Sequence, residues 1–189
     1  MKKIVIRFNA PVILAFALLS LLALLLGKWT DGAATYQYFS VYRASLSDPL
    51  TYVRFFGHVL GHADYEHYMG NMLLILLVGP GLEEKYGSGT MVWTIAVTAL
   101  VTGLVHFVFF PGSVLLGASG VVFMMIVLSS FTAMRRGEIP ITLILVVIFY
   151  LGGEIMDGLF KQDNIPQITH IVGGLCGLVF GFTIRRGRR

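Results

Sequence analysis

The stretch Thr169–Gly181, THIVGGLCGLVFG, decides how this chain folds. It is apolar after Thr169 and His170, and Gly173, Gly177 and Gly181 recur at every fourth residue. In a helix that spacing puts the three glycines on one face, the face that also carries His170. A glycine stripe in an apolar helix lets a neighbouring backbone approach closely, which is how helices associate where lipid removes the usual hydrophobic drive. The segment reads as a membrane helix pressed against a partner, with an imidazole at the mouth of the contact.

The rest of the 189 residues agrees: 56% are hydrophobic and only 13% charged, against roughly 25% charged in a soluble domain. The expectation is an all-α fold, a polytopic helical membrane bundle in a single domain, residues 1–189. A hydrocarbon core takes about 20 apolar residues per helix, fewer where a polar site cuts into the span. Six candidate spans follow, at about 11–27, 67–82, 90–110, 117–133, 139–153 and 169–184. Lys2 and Lys3 precede the first, as in a secretory signal, but PVILAFALLSLLALLLG is long for one and only the weak small-residue site DGAAT follows; it is read as a retained span.

Charge orients the bundle. With the N-terminus inside and six crossings, Lys2, Lys3, Arg7, Lys85, Arg135, Arg136, Arg185, Arg186, Arg188 and Arg189 lie inside. Lys28, Arg43, Arg54 and Lys161 lie outside. Ten of the 14 basic residues are then internal, which places both termini in the cytoplasm of a cell that carries the chain in its inner membrane. The net charge of +4 is therefore read as topology, not nucleic-acid binding. Residues 28–66 become a long external loop, rich in aromatics and expected to be ordered.

The partner for the glycine stripe is the helix that opens Gly117-Ala118-Ser119-Gly120. Alone, this four-residue pattern is better explained by packing. Depth changes the weighing. Ser119 lies sixteen residues before Arg135, His170 fifteen before Arg185, and His67 sixteen before Glu83. At about 1.5 Å per residue each sits roughly 22–24 Å above the inner boundary. Asn71, one turn after His67, shares its face slightly deeper. One polar group in a span can be packing glue; four at one level point to a shared aqueous cavity. A serine there needs a base, which histidine supplies. Acyl transfer also needs oxyanion donors, which Asn, a second His and backbone N–H groups can provide.

Other residues are read more plainly. The single Cys176 excludes an internal disulfide. His58, His62 and His67 lie four and five residues apart, but structural hydrogen bonds in the external loop are a simpler role than metal binding, and no metal or cofactor is expected. His106, inside the third span, is assigned to packing or to the lipid interface. Glu154 and Asp157 end the fifth span as gate, loop or interface residues. A transporter or channel would also bury His, Asn and Ser, but a polar path needs polar residues in the inner half, where LLILLV, VVFMMIVL and LVFG are apolar. A catalytically silent membrane-protein binder is the other alternative.

HYMGN with His67 and Asn71, GASG with Ser119, and HIVGGLCG with His170, Gly173 and Gly177 fall in that order on the second, fourth and sixth spans. In this the chain resembles the rhomboid intramembrane serine proteases of the compact six-span bacterial type. RFFGHVLGHADYEH (Arg54, His58, His62, His67) and EEKYGSG (Glu83, Gly87) add weaker matches, and the resemblance covers about residues 10–186. It implies a dyad in which Ser119 is the nucleophile and His170 the general base and then acid. His67, Asn71 and the Ser119 backbone N–H would form the oxyanion hole. It also implies cleavage of single-span or otherwise membrane-anchored proteins near the outer face, commonly after a small residue, without metal or cofactor. Two positions depart from the family pattern: Phe123 stands where many members have a tyrosine packed on the catalytic histidine, and Val53 where a tryptophan precedes the loop arginine.

Overall fold

The computed structural model describes residues 9–132, 139, 141–146, 148 and 165–184. Among them the chain is all-α: α1 (Pro11–Trp29), α2 (Ala33–Tyr38), α3 (Pro49–Gly57), a 3-10 turn (His58–Leu60), α4 (Tyr65–Tyr86), α5 (Ser88–Phe109), α6 (Ser119–Ser130), α7 (Ile141–Val146) and α8 (Ile165–Thr183). The only extended pairing among these residues is the bridge between Val41 and Leu115.

α6 is the centre of the bundle. Its sequence, SGVVFMMIVLSS, is apolar all round, and ten of its 12 residues are buried. A helix with no polar face is one enclosed by others, and α6 packs on α4, α5, α7 and, most extensively, α8. Twelve residues make about 18 Å of helix, well short of a hydrocarbon core of about 30 Å. The expected fourth span, 117–133, is therefore shortened at its start. Gly117 has φ +123°, a conformation closed to ordinary side chains, so the helix cannot begin before Ala118, its N-cap.

Irregular backbone among packed apolar helices has to find its hydrogen bonds within the protein. It does so on the loop between α1 and α4. Val41 and Leu115 exchange N–H···O=C bonds of 2.8 Å in both directions, and Gly117 N–H donates to the His58 carbonyl at 2.9 Å. The loop expected to be ordered between α1 and α4 is ordered, with Asp48 capping α3 through Leu50 N–H. Arg54 is buried there, paired with Asp48 at 3.1 Å and donating through Nε to the Gln37 carbonyl.

Two helices, Pro11–Trp29 and Ser88–Phe109, are long and apolar enough to cross a membrane, while α6 and residues 167–183 of α8 are shorter apolar helices. α4 runs from Tyr65 to Tyr86 and thus extends past the expected 67–82 at both ends, because Asp64 caps it by accepting from His67 N–H and Gly87 at φ +85° stops it. Only the start of the expected fifth span is described, so Glu154 and Asp157 lie outside the described residues, as do all the basic residues expected to be internal except Lys85. Lys85 Nζ donates to the Thr132 carbonyl just beyond the end of α6.

α1 begins at Pro11 behind Ala10, whose side chain cannot cap it. The cap comes from α4: the buried Glu83 carboxylate accepts from Val12 N–H and Ile13 N–H, each at 3.0 Å, and from Ser88 Oγ at 2.6 Å. A negative charge on exposed N-terminal amides is favourable both as a hydrogen-bond acceptor and against the helix dipole. Glu83→Gln keeps the shape but turns one acceptor into a donor that faces an N–H group. It should lower the unfolding free energy in detergent by about 2–3 kcal/mol, and unfolding that matches the wild type would remove Glu83 from the pins holding α1 to α4.

Candidate active site

α4, α6 and α8 meet around a cavity of about 590 Å³ lined by His67, Gly70, Asn71, Leu74, Ser119, Phe123 and His170, with Leu115, Leu116 and Thr169 among its other walls. Each polar residue stands where its helix puts it. Ser119 is the first residue of α6, and His67 and Asn71 lie one turn apart near the start of α4. His170 lies in the second turn of α8. Ser119, His67 and His170 are half-buried, and Asn71 is buried.

Gly173 explains how α6 and α8 come so close. A Cβ added there would stand 2.1 Å from the Gly120 carbonyl oxygen; at Gly177 it would stand 2.5 Å from the Met124 carbonyl oxygen, and at Gly181 2.3 Å from the Phe131 ring. The stripe read from the sequence is thus a groove filled by α6, and Gly120 beside the serine lies against Gly173, three residues after the histidine. Phe123, one turn into α6, stacks on His170 with ring centroids 4.3 Å apart and planes 5° from parallel, so the face-on support of the imidazole needs no phenolic hydroxyl.

The serine sits at a helix N-terminus, where the first backbone N–H groups have no partner within the helix and favour negative charge. Asn71 Nδ2 donates one hydrogen to the His67 carbonyl at 3.1 Å, and an amide nitrogen carries two. The His67 ring edge lies against Gly117: a Cβ there would be 2.8 Å from its Cε1 and Nε2. The loop and the ring therefore fix each other.

His58 and His62 are not among the residues lining the cavity; His62 bonds within its own loop, as expected, whereas His58 ties the loop to α5. His58 Nε2 lies 3.0 Å from the Ala99 carbonyl and His62 Nδ1 3.1 Å from that of Leu60. His62 also meets the His67 ring edge-on at 5.0 Å between centroids, which makes it a support of a cavity residue that spacing alone did not reveal. His106 is buried, with Nε2 3.2 Å from the Ser113 carbonyl. Its role is to hold the loop before Ser119, not to face lipid. Among the described residues no cluster of three or more metal-ligating side chains occurs. Gly70 and Leu74 on the cavity wall were also missed; their spacing of three and seven from His67 puts them on the same helical face and was the available signal.

Burial pushes both loop imidazoles down to about 4, with His106 adding to the effect on His58 and His67 to that on His62. An unfolded histidine titrates near 6.5. Above that pH both states are neutral and the full stability is present. As pH falls from 6.5 to about 4 the unfolded chain takes up protons that the folded one refuses, so stability is lost across that window. At about 1.4 kcal/mol per pH unit, each imidazole accounts for on the order of 3 kcal/mol. Thermal melting between pH 7 and 4 should show this fall, and His62→Asn, which keeps a donor for the Leu60 carbonyl but does not titrate, should remove the part of it that His62 contributes. An unchanged pH slope in His62→Asn would mean that His62 is not held neutral.

A family model, Rhomboid domain, matches residues 49–187, a span that contains the whole cavity wall from α4 to α8. The chain belongs to the rhomboid family. Its relatives include Rhomboid-related protein 1 of Caenorhabditis elegans, 30% identical over 144 residues, which are 69% of this chain and 39% of that protein. Rhomboid-related protein 2 of Mus musculus is 29% identical over 164 residues, which are 74% of this chain and 53% of that protein. The chain thus spans about half or less of the curated relatives it matches. For a rhomboid-family member, an all-helical bundle organised around a short central helix is a membrane-protein architecture.

Proposed function

We propose that this rhomboid-family chain is an intramembrane serine endopeptidase that hydrolyses peptide bonds in or near the transmembrane segments of single-span or otherwise membrane-anchored proteins. The observation that carries the reading is that Ser119, His170, His67 and Asn71, from three helices, line one cavity while Phe123 holds the His170 ring face-on.

The chemistry follows from the placement. His170 takes the proton of the Ser119 hydroxyl as Oγ attacks the carbonyl carbon of the scissile bond. The carbonyl oxygen becomes an oxyanion, which the Ser119 N–H, the second Asn71 amide hydrogen and the His67 ring face as donors. Collapse of this intermediate breaks the C–N bond, and the proton on His170 leaves with the amine. A water molecule, deprotonated by His170, then attacks the acyl-serine and restores the hydroxyl. In this scheme the ring stacking of Phe123 and the packing of α8 orient the base.

The sequence supports six spans with both termini in the cytoplasm, in the inner membrane of its cell, so that the cavity lies toward the outer face. The lipid bilayer is then the second partner, and nucleic acid has no place in this reading. A fluorophosphonate probe on the purified protein in detergent tests the assignment. Labelling at Ser119, lost in His170→Ala, supports a protease. A folded protein that resists the probe and cleaves no single-span substrate would instead be a binding module built on the same scaffold.

A further inference from the structure

A second pocket, of about 330 Å³, lies at the C-terminal end of α1 and contains none of the reacting residues; Lys28, Asp31, Thr35 and His62 line it, with Leu24 among its other walls. α1 is one of the two helices long and apolar enough to cross a membrane, and it ends on Lys28 and Trp29, the latter 84% exposed. A lysine and a tryptophan at the end of a span mark the level of the lipid headgroups. A Cβ on Gly27 would collide with the Thr35 hydroxyl, so the glycine keeps that hydroxyl beside the end of α1.

The polar groups of this pocket are of two kinds. Lys28 brings a cation with N–H donors and Thr35 a hydroxyl. Asp31 brings an anion that only accepts. No ion pair joins Lys28 to Asp31 among the described residues, so each charge is available to a ligand. His62 adds a second acceptor. Its Nδ1 lies 3.1 Å from the Leu60 carbonyl, a bond that needs the hydrogen on Nδ1 and leaves a lone pair on Nε2 of the neutral ring. The residue is only 1% exposed, and Nε2 is buried with no hydrogen-bond partner among the described residues. A buried acceptor without a donor is costly, and a ligand that brings N–H groups removes that cost.

We propose that this pocket binds the headgroup of a phosphatidylethanolamine lipid, in which a phosphate stands next to a primary ammonium. Lys28 and Thr35 donate to the phosphate oxygens, while the ammonium donates to the Asp31 carboxylate and to His62 Nε2. The acyl chains then run along the exposed Leu22, Leu25 and Leu26 of α1. A choline headgroup has no N–H for His62, and a glycerol headgroup has no cation for Asp31.

Native mass spectrometry of the full chain in detergent tests the site, with dioleoyl lipids carrying ethanolamine, choline or glycerol headgroups and with soluble glycerophosphoethanolamine. The wild type should bind the ethanolamine lipid about tenfold more tightly than the other two lipids, the difference that one hydrogen bond to a charged group commands. Asp31 is exposed and has φ +49°, a conformation that asparagine also adopts, so Asp31→Asn should fold normally and lose most of the preference for ethanolamine over choline. His62→Asn, which keeps the bond to Leu60 but places no atom at Nε2, should lose it too. Lys28→Gln should weaken the ethanolamine and choline lipids alike, since both carry the phosphate. Equal wild-type affinity for the three lipids would overturn the site, as would an ethanolamine preference unchanged in Asp31→Asn or binding unchanged in Lys28→Gln. Glycerophosphoethanolamine bound as tightly as the lipid would overturn it as a lipid site and make the ligand a soluble phosphoester.

Discussion

Ser119→Ala should cleave a single-span model substrate no faster than background while melting at the wild-type temperature. Removing the nucleophile from a serine hydrolase typically costs about six orders of magnitude in kcat, because the remaining donors still bind but no acyl-enzyme can form. Stability should not follow, since Ser119 is half-buried at the first position of α6, no side-chain capping bond is made there, and alanine is the best helix former. Cleavage by purified variant protein in micelles, read by mass of the products, is the measurement. Turnover within tenfold of the wild type would show that another group attacks the carbonyl, and a lowered melting temperature would show that the hydroxyl serves the fold.

What the sequence disclosed, it disclosed through periodicity and polarity. The four-residue glycine spacing in α8 implied a tightly packed partner, and α6 does occupy that groove, with the Gly120 and Met124 carbonyls against Gly173 and Gly177. The stacking of an aromatic at position 123 on His170 came from the family resemblance alone, and the rings are parallel. Depth counting from the inner charges put Ser119, His67 and His170 at one level, and the three do line one cavity. What stayed hidden was long-range and local detail. The backbone conformation at Gly117 shortens α6, and nothing in GASG distinguishes a glycine that starts a helix from one that precedes it. The capping of α1 by Glu83, 70 residues away in sequence, depends on how two helices lie together. The partner of His106, the Ser113 carbonyl, is a backbone atom and leaves no mark on the sequence.

The close approach of α6 and α8 carries the second large effect, in Gly173→Val. At Gly173 the obstruction is backbone: the Gly120 oxygen at 2.1 Å from an added Cβ, its carbonyl carbon at 2.8 Å and its Cα at 2.9 Å. No rotamer change relieves a contact with main-chain atoms, so the helices themselves must separate. Gly120 follows Ser119 directly and Gly173 lies one turn beyond His170, so separation here moves the serine and the imidazole apart. Overpacking of this kind costs roughly 1–3 kcal/mol, and a 1 Å displacement of reacting groups costs about a hundredfold in rate. Gly173→Val should therefore lower the melting temperature and reduce cleavage by two orders of magnitude or more, although position 173 faces α6 and not the substrate. Gly173→Ala, which already introduces the offending Cβ, should show most of the loss in rate. Leu175→Val, at a side chain half exposed on the same helix, is the control and should cleave normally. The rate of fluorophosphonate labelling separates the two consequences: it should fall with cleavage in the Gly173 variants at temperatures well below their melting points, because the displacement acts on the Ser119–His170 geometry in the folded protein. Wild-type labelling in a destabilised Gly173→Val would mean that the glycine contact holds the bundle together without setting the distance between nucleophile and base.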